Sequence, residues 1–163
     1  MATEDLNSGV ITNRDATPVV LTTANPGTVR RAYGKVECAG GDAGSTYRFC
    51  HVPSNAKMVR CFYSCDDLGT GVTMNVGLYQ TTGNGGAVVD QDFFASALDV
   101  ATAAVGITEI TFERGATLIA EAEEPLWERL GLSADTNRDY DVVAVSASAA
   151  ATGTMVVWVE YVI

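Results

Sequence analysis

KMVRCFYSCDDLGTGVTMNVGLYQT, Lys57 to Thr81, decides the fold. Val72, Met74, Val76 and Leu78 alternate with Thr73, Asn75, Gly77 and Tyr79. That is period two, the pattern of a strand with one face in a core. Upstream, Val59, Cys61, Tyr63 and Cys65 alternate with Met58, Arg60, Phe62 and Ser64. Both faces of this first run are fairly apolar, which predicts a central strand. Asp66-Asp67-Leu68-Gly69-Thr70-Gly71 lies between the two runs as a turn, so the stretch reads as a β-hairpin.

Working outward, further strand patterns recur, each bounded by turn residues. Asn25-Pro26-Gly27 turns into a strand over Thr28 to Ala39, and Gly40 to Gly44 is a loop. A second strand runs from Ser45 to Val52, and Pro53 to Ala56 leads into the central stretch. Thr82 to Gly86 is a glycine-rich loop without the Gly-Lys-Ser/Thr of a phosphate cradle. Ala87 to Asp90 is a short strand, and Gln91 to Ala104 has mild helical character or is a long loop. Thr108 to Arg114 and the short apolar Thr117 to Ala120 follow.

Glu121 to Gly131 carries early acids, Pro125 and a terminal glycine, which predicts two helical turns with Leu126, Trp127 and Leu130 inward. Tyr140 to Ala149 and Thr154 to Ile163 are the last strands; the final one is apolar at nearly every position and is expected to be central, or covered by a partner.

The pattern gives an all-β fold: a two-sheet sandwich, jelly-roll-like, of seven to nine strands, with one or two short helices and an extended N-terminal arm. An immunoglobulin-type sandwich is the second choice, because the Cys…Trp…Cys order is missing. Residues 1–27 form the arm and 28–163 the β-sandwich domain. Val10, Ile11, Val19, Val20 and Leu21 are the arm's apolar anchors and its expected partner contacts.

At 163 residues the chain reads as one domain, long enough to remove about 70% of its unfolded surface from water. Twenty acidic residues against ten basic ones give a net charge of −10, which repels nucleic acid and anionic membranes. It suits a basic or neutral protein partner. The acidic start lacks the pattern of a signal peptide, and no run of 18 apolar residues occurs, so cytosolic synthesis and no membrane partner are expected.

Chemistry finds little support. Cys38, Cys50, Cys61 and Cys65 read as reduced, buried thiols. Cys61 and Cys65, four apart on one strand, lie roughly 13 Å from each other, too far to share a zinc or a bridge. Cys50 and Cys61 could face each other if Pro53 to Ala56 is a tight hairpin turn. Asp135, Asn137, Asp139 and Asp141 alternate like a calcium loop, but Tyr140 and Ser146 occupy the positions that require Gly and Glu. His51 is the only histidine, so any nucleophile–histidine pair must use it, and no nucleophile elbow is present. Glu121, Glu123 and Glu124 suit a helix start better than a glycosidase pair. Arg30 and Arg31 point to opposite faces, which leaves no basic strip for nucleic acid. The expectation is no enzyme, no cofactor, and no catalytic or metal-ligating residue.

Three segments carry a resemblance: VPSNAKMVRCFYSCDDLGTGVTMNVGLYQT, GAVVDQDFFASALDV and EEPLWERLGLSADTNRDYDVVAVSASAAATGTMVVWVEYVI. Together, over roughly residues 28 to 163, they resemble small β-rich structural proteins of tailed phages, the capsid cement or decoration proteins. The resemblance implies a jelly-roll-like fold and a place on the capsid exterior of the virion. It implies the major capsid protein and copies of itself, as a dimer or trimer, as partners. It brings no catalytic motif. A tail or head–tail connector subunit, and a carbohydrate-binding sandwich module, are the alternatives.

Overall fold

A computed structural model describes residues 17–18, 28–101, 104–113 and 121–163. Among these residues, eight strands form two four-stranded antiparallel sheets. They are β1 (Val29–Gly41), β2 (Thr46–Pro53), β3 (Lys57–Cys65), β4 (Thr73–Gln80), β5 (Val88–Asp99), β6 (Val105–Glu109), β7 (Asp139–Ser146) and β8 (Ala151–Val162). Sheet A has the order β1-β8-β3-β6 and sheet B the order β2-β7-β4-β5. First pairs with last, second with seventh, third with sixth and fourth with fifth. This nesting is a long antiparallel ribbon rolled into a sandwich, the jelly roll. The expected extended arm and its anchors Val10, Ile11, Val19, Val20 and Leu21 lie outside the described residues.

The hairpin expected over Lys57 to Thr81 is not one. β3 belongs to sheet A and β4 to sheet B, and each is hydrogen-bonded to other strands. The segment between them crosses the sandwich. Leu68 and Val72 within it are fully buried, so the apparent turn is an apolar strap closing one end of the core. Alternation fixes which residues face inward, but not which strand lies alongside. β3 is central, as its two apolar faces predict, and so is β8; β4 is central too, which its single apolar face did not indicate.

Gln91 to Ala104 is neither helix nor loop in its first part, since β5 runs to Asp99. Its pairing with β4 shifts register three times. These bulges put the neighbours Phe93 and Phe94 both in the core, edge to face with centroids 5.0 Å apart. Bulging breaks the period of two and mimics helical spacing. The strand expected over Thr108 to Arg114 lies earlier, at Val105–Glu109, and 111–113 form a turn. Ile110 and Thr111 still fasten to β3: Ile110 N donates to Cys61 O at 2.8 Å, and Thr111 Oγ1 accepts from Cys61 N at 2.8 Å.

The helix expected over Glu121 to Gly131 shrinks to one turn, α1 (Leu126–Arg129), with Leu126 fully buried and Trp127 and Leu130 half-buried. Pro125 caps it, and Gly131 ends it with φ +72°.

The interior is one apolar cluster drawn from both sheets. Cys38, Cys61 and Cys65 are buried in it and Cys50 packs against it, all as free thiols. The tight hairpin that would set Cys50 against Cys61 does not form, because β2 and β3 lie in different sheets. At one corner of the sandwich β2 carries a bulge at Phe49, and the Phe49 carbonyl approaches β1 so closely that a Cβ on Gly34 would sit 2.0 Å from it. Glycine is required there.

Candidate functional site

Among the described residues, the distinctive exposed side chains lie on the outer faces of the sheets. In sheet A the alternation of β8 buries Met155, Val157 and Val159 and turns Val156, Trp158 and Glu160 outward. Cross-strand partners share a face. Tyr33 is opposite Trp158, and Trp158 is opposite Phe62. Three aromatic residues therefore form a row across β1, β8 and β3 on the outside of the sandwich. The Phe62 and Trp158 rings are stacked, 5.4 Å between centroids and 8° from parallel. Tyr33 is 74% exposed, and Ile107, on β6 at the far end of this face, 76%.

A charged row runs beside the aromatic one. Arg31 and Arg60 are both opposite Glu160, and Glu109 is opposite Phe62. Arg31 donates to Glu160 through Nε at 3.0 Å and also through Nη2. Arg60 makes a two-pronged pair with Glu109, at 2.9 and 2.6 Å, and its guanidinium lies 5.0 Å from the Phe62 ring centroid. The hydrogen bond from Arg60 holds the Glu109 carboxyl below its ordinary range. Exposed pairs of this kind add little to stability, but they set the pattern a partner must match.

Beyond Arg60 the surface opens into a mainly apolar groove of about 330 Å³, lined by Met58, Val59, Arg60, Phe112 and Ala122 among others. Met58 has φ +50°, at the register shift between Lys57 and Arg60. An unbranched side chain held in the left-handed region stores strain, and here it aims Met58 at the surface, where it is 48% exposed.

Sheet B treats its outer face differently. Tyr79, Val143 and Val145 form a small cluster outside the main core, yet all are buried. Arg48 lies across it, its guanidinium 5.6 Å from the Tyr79 ring centroid. Arg48 donates to Asp141 Oδ2 at 2.6 Å and to the Gln80 and Gly86 carbonyls at 3.0 and 2.9 Å. The backbone of Asp90 and Gln91 closes over Gly77, where a Cβ would stand 2.1 Å from the Asp90 oxygen. The charges differ as well. The strands of sheet A carry five basic and three acidic residues. Those of sheet B carry one basic and five acidic.

Comparison with known proteins supports the architecture. No family model matches the chain, and no curated protein does. It is similar to a solved chain described as "Cyanophage Pam1 capsid asymmetric unit". The identity is 16%, with 91% of this chain and 97% of that one covered, at a TM-score of 0.51. A second solved chain, described as "Bacillus endospore appendages form a novel family of disulfide-linked pili", aligns at 15% identity and a TM-score of 0.28, covering 88% and 97%. At these identities the likeness to the phage chain is one of fold.

The residues weighed for chemistry disperse. Asp141 is committed to Arg48, while Asp135 accepts from Ser54 Oγ and from Asn137 N. Among the described residues, no three His, Cys, Asp or Glu side chains converge as metal ligands. His51 is exposed on β2 opposite Asp141. Burial pushes the Cys50 thiol up to about 12, and drives Cys61 well above its ordinary value. These are poor nucleophiles. Sequence reasoning missed the aromatic row. Phe62 and Trp158 each alternate with the buried residues of their own strand, but their alignment depends on strand order, which alternation does not encode.

Proposed function

We propose that this chain is a structural protein of a tailed-phage virion, a cement or decoration protein that binds the outside of the major capsid protein shell and stabilises the head. The observation that carries this reading is the outward row Tyr33–Trp158–Phe62 with its flanking ion pairs. A sheet that turns aromatic rings and an ordered set of charges to solvent is built to meet a surface. The fold it shares with a chain from a phage capsid assembly supports the same reading. The protein acts by contact, with no catalytic step and no cofactor, and many modest contacts repeated over a shell add up. Its partner surface is mixed in charge with an apolar centre.

The test uses particles made with and without the chain. Heads lacking it are expected to break at lower temperature. Adding back wild type should restore resistance, while Tyr33→Ala/Trp158→Ala should not. Heads equally robust without the protein, or copies found on the tail, would refute the placement. The same row favours one other reading, a carbohydrate-binding module, since sugars stack on exposed Tyr and Trp. A glycan array showing binding lost on Tyr33→Ala would select it.

A further inference from the structure

The two sheets have four edge strands, and three of them are protected against pairing with another chain. β6 is five residues long. β2 is bulged at Phe49 and ends at Pro53. β5 shifts register three times. Short, bulged or proline-tipped edges resist strand addition. β1 has none of these devices from Val29 to Ala39, where it stays in unbroken register with β8. Among the described residues no strand pairs with its other edge, and an edge that long and regular is a template for another strand.

The side chains on β1 specify which strand fits. Arg31, Tyr33, Lys35 and Glu37 point outward, in alternation with Ala32, Gly34, Val36 and Cys38. We propose that β1 pairs antiparallel with β1 of a second copy of this chain, with Gly34 opposite the partner's Gly34, making one continuous eight-stranded sheet. In that register Arg31 faces the partner's Glu37, twice by symmetry. Tyr33 faces the partner's Lys35, also twice, which suits a cation–π contact. Sliding by two residues one way sets Arg31 against the partner's Lys35, and the other way sets Lys35 against Lys35. Sliding by four one way sets Arg31 opposite the partner's Gly41, across the register shift between Ala39 and Gly41, and the other way leaves only Val29 to Lys35 of the described strand to pair. Charge, regularity and length of ladder therefore favour a single register. A two-fold axis through Gly34 keeps both outer faces on one side, so the dimer displays two aromatic rows together. The dimer does not depend on where the protein sits in a particle.

The test is sedimentation of the full chain across a concentration series, with amide exchange of residues 29–39. Wild type should dimerise, and the β1 amides should gain protection as concentration rises. Arg31→Glu and Glu37→Arg, each made alone, place like charges opposite one another and should weaken the dimer at least about tenfold. The double variant should restore it. Glu160→Gln controls for loss of the partner Arg31 has within its own chain, and thermal melts confirm that each variant folds. A monomer at all concentrations would overturn the proposal. So would β1 amides pointing away from β8 whose exchange does not change with concentration, an oligomer indifferent to the single reversals, or a double variant no better than either parent.

Discussion

The outer faces of the two sheets solve the same problem in opposite ways. Each carries aromatic and branched residues that a solvent-facing sheet would rather hide. Sheet B hides them with its own chain: Arg48 lies over Tyr79, and the Asp90–Gln91 backbone closes on Gly77 beside Val143. Sheet A leaves Tyr33 and Ile107 largely open and orders charges alongside them. The difference separates burial that serves the fold from exposure that serves an encounter, and substitutions on the two faces should separate the same way.

The largest effect is expected at Gly77. Gly77→Val would drive side-chain atoms into the β5 backbone and should cost about 3 kcal/mol or more in urea unfolding. Arg48→Met comes next, at about 2 kcal/mol by the same measurement, because it strands Asp141 and uncovers Tyr79.

Third is an alkaline transition. The folded Cys50 thiol titrates near 12, above its ordinary value, so the unfolded chain loses its proton first. Stability from this group is complete below about pH 9 and falls as pH climbs towards 12. Cys50→Ser should flatten the decline in melting temperature over that window.

Fourth, Glu109 is held low, so its contribution is present above the ordinary carboxylate range and fades as pH drops through the folded value. Glu109→Gln should remove a small acid-side slope from the melting curve.

Smallest is Tyr33→Ala, within about 0.5 kcal/mol of wild type in unfolding while losing the partner. A large loss of stability there would erase the distinction between the faces.

Much of the interior was legible from alternation. Met74, Val76 and Leu78 face the core as their spacing predicts, and the apolar β8 is central. Two classes of feature were not legible. Partner choice was one: β3 and β4 looked like a hairpin because a crossing between sheets and a turn use the same residue types, and only the burial of Leu68 and Val72 tells them apart. Bulges were the other. In β5 they brought Phe93 and Phe94 inward together, which erased the strand period. The surface site suffered from the first difficulty, since Tyr33, Phe62 and Trp158 stand 29 to 125 positions apart along the chain and meet only through the strand order.

The central place of β8 has a consequence for how the protein is made. β1 and β3 flank it, so during synthesis both wait with a bare inner edge until residues 151–162 emerge from the ribosome. β3 and β6 can pair earlier, but β1 joins sheet A only when the closing strand slots between it and β3. Nascent chains stalled before Ala151 should stay open to proteases that the finished protein resists.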